Sequence, residues 1–433
     1  MSHPTRRLYE VRAAWLPNEP IIGRLSMPVR PAARSGSAAG AVVSSSALPS
    51  CAAFEYDAEW LENGFSIGGD VPLTRGVHLP ALGKQLFGFL EDRAVSASNY
   101  VVFASSEKPD ERLPDDASPA ENAAVILPDR RDAFGGLRIV PTAGEAPESL
   151  PRLVRSTMLD DLVYAFHTFE RGRMRERETA VLRRALTLPG ERPVFTMERA
   201  RECQTVRLRG MNDSVDRPLW VGIALETASR CGIKTVTFDC ERELGETVLF
   251  SRRVDRAPEK PGSDSPAVLP MPVFSGAALT AKPAGSSRVR ALPAGYLALA
   301  DILNREGAAP AKDLPEVFRR MVFALLTGAG TDSLRRWLFV REALGWRLLP
   351  AHTLEWPMPG QAPRGGLTLD GKRRLGNADD ATLYAPYFGL TVSEAKMTVM
   401  EMRRVLMNWE SIAADMGADA ADIALMTPSL ELY

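Results

Sequence analysis

Side chains able to hold a metal or attack a substrate are few in this chain, and they do not gather. Cys51, Cys203, Cys231 and Cys240 lie far apart, and the only histidines are His3, His78, His167 and His352. A zinc site needs Cys or His ligands paired a few residues apart. No Cys-x-x-Cys or Cys/His spacing of that kind occurs, so neither a zinc centre nor a disulfide framework is expected. The thiols are expected to stay reduced, as in a cytoplasmic protein. The net charge of −1 supplies no global attraction to nucleic acid or to an acidic membrane. That charge does not exclude DNA as an indirect partner, reached through another protein.

The elements that must position any site are partly readable. With 433 residues, two or three packed units are expected, and 45% apolar with 25% charged residues is the composition of a soluble globular protein. The longest uncharged run, from Ser35 to Phe54, is Ala, Ser and Gly rather than Leu, Ile and Phe. It does not read as a membrane span. No apolar stretch follows the N-terminal Met-Ser-His-Pro-Thr-Arg-Arg, so no secretory leader is expected. Residues 29–50, 105–122 and 256–291 have loop or linker composition.

Short strands are predicted at Tyr9–Trp15, Ile21–Leu25 and Ala52–Tyr56, and a loop leading into a buried helix over Leu82–Leu90. Further on, Asp313-Leu-Pro-Glu316 reads as a helix N-cap, followed by a face of Leu314, Val317, Phe318, Met321, Val322 and Leu325. Thr391-Val-Ser-Glu394 is a capping box, with Ala395, Val399, Met402, Leu406, Trp409 and Ala413 as one stripe behind it. The methionines there are read as core filler. Strands first and helices later imply an α+β, bilobed body with a small β-rich N-terminal part and a mostly helical C-terminal lobe.

Four ordered blocks sharpen that picture. They are Ile22-Gly-Arg-Leu25 with Phe54-Glu-Tyr-Asp-Ala-Glu-Trp-Leu61 and Val71-Pro-Leu73; Gly190-Glu-Arg-Pro193 with Leu208–Ile233; Tyr296-Leu-Ala-Leu-Ala-Asp301 with Asp313–Phe323; and Gly345-Trp-Arg-Leu-Leu-Pro-Ala351 with Tyr387-Phe-Gly-Leu390. Together they resemble the HipA family, the protein-kinase-like toxins of bacterial toxin–antitoxin modules. The resemblance implies a HipA-like kinase fold divided into a small N-terminal domain at 1–104, a kinase-like N-lobe at 105–255, a linker at 256–291 and a helical C-lobe at 292–433.

A kinase needs a lysine on the nucleotide phosphates, an acid to position it, an Asp base, and Asn and Asp ligands for magnesium. By this resemblance Gly190 would belong to the phosphate loop, but Glu191 puts a carboxylate where phosphates would lie and Val194 replaces the loop lysine. Arg207 stands for the strand lysine, though it also reads as a solvated strand charge. The helix Glu aligns near Val221. Aligned without gaps, the base falls on Thr331 and the metal-binding Asn on Arg336. Shifted by one, Asp332 becomes the base and Trp337 takes the Asn position. The second metal ligand aligns with Thr353, beside His352, which is read as a packed or exposed histidine. Thr187 takes the place of the family's phosphorylated loop serine. Arg183, Arg184 and Arg192 read as a solvated face open to an anion or acidic partner.

Three readings follow. One is a pseudokinase working by contact, with no cofactor. Its partners would be a helix-turn-helix antitoxin-type protein, a neighbouring kinase subunit or a translation factor, without membrane contact. The second is an active Ser/Thr kinase toxin using ATP and magnesium, with Asp332 as base and Glu355 or Asp301 on the metal. The third is an unrelated structural or enzymatic protein without a two-lobed body.

Overall fold

The computed structural model describes residues 6–28, 51–81, 83–94, 133–142, 154–186, 188, 192–200, 202–257, 269–284, 294–328, 332–359 and 366–430. The chain is α+β, as expected: strands dominate its first part and helices its last. Segments 29–50 and 105–122, read above as loops, lie outside the described residues.

The first sheet is antiparallel, in the order β4-β3-β2-β1-β5. Its strands are β1 (Arg6–Ala13), β2 (Ile21–Pro28), β3 (Ala53–Tyr56), β4 (Val77–His78) and β5 (Leu137–Pro141). The three strand expectations hold, with β1 starting and ending earlier. Val11, Ala13, Ile22, Leu25, Phe54 and Tyr56 are buried. The glycine of the Ile22-Gly-Arg-Leu25 block has a steric reason. A Cβ on Gly23 would meet the Glu55 carbonyl at 2.3 Å and the Phe54 ring at 2.5 Å. Helices α1 (Ala58–Asn63) and α2 (Gly88–Glu91) close this part. Phe87, Phe89 and Leu90 are buried there, so the expected loop and buried helix are present.

The second sheet, β6-β7-β8-β10-β9, comprises β6 (Val154–Arg155), β7 (Phe195–Arg199), β8 (Glu202–Leu208), β9 (Phe238–Glu243) and β10 (Glu246–Arg252). Helices α3 (Leu159–Glu170) and α4 (Glu176–Ala185) pack on one face, against Val206, Val248 and Phe250. Helix α5 (Arg217–Arg230) packs Val221 and Leu225 against Leu249. Alternation along β8 therefore matters. Val206 and Leu208 point into the α3/α4 core, while Arg207, opposite Leu249, shares the α5 face.

The third sheet, β11 (Val273–Ser275), β12 (Leu338–Glu342) and β13 (Gly345–Leu348), carries α6 (Gly276–Thr280) at its edge. Both β11 and α6 fall within the 256–291 stretch. Helices α7 (Tyr296–Glu306) and α8 (Pro310–Leu326) begin the helical part. Asp313 is not the cap of α8. Pro310 takes the first helical position, where its missing N–H leaves nothing unsatisfied, so the helix starts a turn earlier. Asp313 is instead a buried carboxylate that accepts from Arg347 Nε at 2.7 Å and Leu348 N at 3.1 Å, tying α8 to β13. The expected α8 face is buried except for the half-buried Leu325.

The α-helices that follow among the described residues are α9 (Ala378–Ala381), α10 (Val392–Leu406), α11 (Trp409–Asp415) and α12 (Ala420–Met426). The Thr391/Glu394 capping box forms as expected. The stripe behind it is split, because the chain leaves helical register at Met407–Asn408; Trp409 and Ala413 are buried on α11.

A buried ionic latch joins the first two sheets. Asp255, just past β10, accepts from Arg253 Nη2 at 2.6 Å, Arg256 Nη1 at 2.7 Å and Gly135 N at 2.8 Å. Arg256 Nη2 also reaches the Ala133 carbonyl at 2.7 Å. The two guanidiniums outweigh burial and hold the carboxyl well below the usual carboxylate range. Losing the acid would remove the carboxylate that two buried guanidiniums share, a class of defect worth about 3–5 kcal/mol. Asp255→Ala is expected to lower unfolding stability by roughly that amount, read as the shift of the urea midpoint. A change under 1 kcal/mol would remove the latch from the account.

Candidate functional site

The end of α8, the segment at 332–337, the stretch 351–355 after β13, and the inner face of β8 with α5 converge on one cleft. A cavity of about 30 Å³ is lined there by residues including Arg320, Asp332, Arg336, Thr353 and Glu355. That is room for a few water molecules, not for a nucleotide.

Its electrostatics turn on Glu355. Glu355 Oε2 receives Arg336 Nη2 at 3.1 Å and Arg217 Nη2 at 3.4 Å. Burial alone would raise this carboxyl. Arg336, Arg217 and Arg207 together hold it at about 2, below its ordinary 4.5. Arg207 Nη2 donates to Thr353 Oγ1, and burial lowers its guanidinium to about 10 against the pull of Glu355. Arg320 on α8 pairs with Glu316 at 2.9 Å and sits over the Trp337 ring. Glu355 is fixed by its neighbour Trp356, buried against Trp220 of α5 at 6.1 Å and Trp409 of α11 at 6.0 Å between ring centroids.

Asp332 lines the same cavity. Its oxygens accept from Tyr296 O–H at 2.7 Å and Trp337 Nε1 at 3.0 Å. Burial raises its carboxyl despite those donors. It is therefore a held, largely desolvated acid rather than one facing open solvent. His352, also pushed down by burial and the neighbouring arginines, to about 3, stays neutral; its Nδ1 has no hydrogen-bond partner among the described residues.

The structure thus brings together Arg207, Asp332, Arg336, Thr353 and Glu355. Arg207 is no solvated strand charge, because β8 alternation turns it inward. Asp301 is not in the cleft; it pairs with Arg305 at 3.1 Å along α7. Val221, aligned with the helix Glu, is buried apolar surface. The same helix brings Arg217, a cation, to the cleft instead. Thr187, Gly190, Glu191 and Thr331 lie outside the described residues. Arg192 is held by Asp213 at 2.6 Å and 3.0 Å, and Arg183 and Arg184 sit in the last turn of α4. Arg217 and Arg320 were invisible in the sequence, since only the approach of α5 and α8 makes them site residues.

These groups do not fit magnesium and ATP. The position aligned with the metal's Asn carries a guanidinium (Arg336) or, shifted by one, an indole (Trp337), that of the Asp a hydroxyl, and the two carboxylates of the cleft are engaged, Glu355 by arginines and Asp332 by Tyr296 and Trp337. A divalent cation prefers carboxylate and amide oxygens and would meet like charge here.

Fold and cleft place the molecule among α+β proteins with a kinase-like body. Residues 222–424 match the HipA-like C-terminal domain family. Among solved structures, HipA of Shewanella oneidensis MR-1, captured with HipB and its operator DNA, aligns at a TM-score of 0.60 and 14% identity. That alignment covers 97% of this chain and 94% of that one. The proinflammatory kinase CtkA of Helicobacter pylori aligns at 10% identity over 55% of this chain and 94% of its own; its TM-score of 0.33 carries no weight. No curated protein sequence matches. Among the described residues no helix is long and apolar enough to cross a membrane.

Glu355 makes the cleft sensitive to acid. A carboxyl whose folded value is depressed contributes stability that is complete above its unfolded value and lost as pH falls through the folded one. The stability gap between wild type and Glu355→Gln should be full above about pH 4.5 and close as pH falls toward 2. Urea midpoints at pH 6, 4 and 3 check this; a gap that is constant with pH would contradict the ion-pair assignment.

Proposed function

We propose that this protein is a HipA-like pseudokinase, a regulatory module that works through protein contacts with little or no phosphoryl transfer. The observation that carries the reading is the replacement of the metal-holding groups by Arg336 (or, in the register that makes Asp332 the base, Trp337) and by Thr353, with Glu355 engaged by arginines. Phosphoryl transfer depends on metal ions that bridge the phosphates and neutralise their charge. A cleft whose surplus charge is already positive offers that metal nothing to bind. Asp332, the one acid at the catalytic-loop position, has both oxygens engaged by Tyr296 and Trp337, which weakens a base role that needs a lone pair directed at substrate.

A partner of the helix-turn-helix antitoxin type is supported by the Shewanella HipA structure, which holds HipB and operator DNA. On this reading the chain reaches DNA through that partner, and its compartment is the cytoplasm.

The rival reading, an active kinase with Asp332 as base, makes opposite demands. ATP with magnesium should shift the melting temperature no more than ATP in EDTA does, and no labelled phosphate should pass to the protein or to a generic Ser/Thr substrate. Saturating nucleotide at 100 times its dissociation constant would otherwise add roughly 2.7 kcal/mol. Magnesium-dependent phosphotransfer that disappears in Asp332→Ala would decide for the kinase.

A further inference from the structure

We propose that the arginine cleft is a metal-independent binding site for the phosphoryl oxyanions of a small phosphorylated ligand, and that Glu355 is its built-in competitor. The proposal deepens the pseudokinase reading and rests on it, since the same groups that repel magnesium would recruit an anion.

The geometry is that of an oxyanion site already holding an anion. Three guanidiniums, from β8, α5 and the segment preceding β12, surround one carboxylate, with Arg336 at 3.1 Å and Arg217 at 3.4 Å. Guanidinium forks bind carboxylate and phosphate by the same charge-assisted pattern, and a phosphoryl group offers more oxygens and more charge than one carboxylate. The other charged groups at the cleft are accounted for. Arg320 is neutralised by Glu316 at 2.9 Å. Asp332 is held by Tyr296 and Trp337. His352 is buried among cations and adds no charge. The balance around Glu355 is therefore cationic.

Donors are also left over. Arg207 Nε is buried with no hydrogen-bond partner among the described residues. A buried unpaired guanidinium N–H is costly unless something accepts from it. Thr353 Oγ1 accepts from Arg207 Nη2, which leaves its own hydrogen to donate. The present cavity of about 30 Å³ is too small for a phosphoryl group beside Glu355. Ligand and carboxylate must then exclude one another: as the oxyanion enters, the Glu355 side chain leaves the guanidiniums.

The test uses the full chain with inorganic pyrophosphate as probe, in excess EDTA, by titration calorimetry. Wild type is expected to bind without any divalent cation. Glu355→Gln, which keeps the shape and removes the competing charge, should bind at least about 10-fold tighter. Arg336→Met should bind at least about 10-fold weaker. Equal affinities for wild type and Glu355→Gln would overturn the competitor role. No binding in EDTA to either protein, with Mg–ATP also silent, would overturn the anion site and leave the pseudokinase reading standing. Binding that appears only with magnesium would overturn both. Should Glu355→Gln fail to fold, wild type against Arg336→Met still decides, and equal affinity there would sink the site.

Discussion

The cleft is organised by one buried carboxylate shared among several arginines. Three guanidiniums brought this close without Glu355 would repel one another in a poorly screened setting, and Glu355 without them would be an isolated buried charge. Each side makes the other tolerable. The arrangement also welds distant parts of the chain: β8 supplies Arg207, α5 supplies Arg217, the short turn before β12 supplies Arg336, and the stretch after β13 supplies the acid. A kinase joins the same regions through a metal and a nucleotide. Here the protein joins them with its own side chains.

The surrounding packing explains why the ion pairs can be held. Trp356 follows Glu355 directly and is buried against Trp220 and Trp409. The Asp313 clamp on Arg347 and Leu348 fixes β13, from which the 351–355 segment departs. Asp332 is likewise restrained by Tyr296 from α7 and by Trp337. Such restraint lowers the entropy lost in ordering long charged side chains, the term that makes exposed ion pairs weak.

Much of the frame was legible in the chain. Period-two patterning located β1 to β3, and the Thr391/Glu394 capping box located the start of α10. The errors were local and physical. Asp313 has the chemistry of a cap, but Pro310 starts the helix earlier and a tertiary partner, Arg347, claims the carboxylate. Trp409 and Ala413 continue the spacing of α10 although the chain breaks at Asn408. At the site, alternation between Val206 and Leu208 was the signal that Arg207 faces inward, and it was readable. The convergence of Arg217 with Glu355 was not, because it depends on an approach between elements 138 residues apart in the chain.

The tryptophan trio has a consequence of its own. Trp356 is bonded to the residue that any occupant of the cleft must displace, and it touches indoles from two other helices. A small backbone adjustment at 355 is therefore converted into a change of indole environment on α5 and on α11. The fold carries an optical reporter beside its own cleft, and the intrinsic emission of the unlabelled protein can follow what happens there in real time.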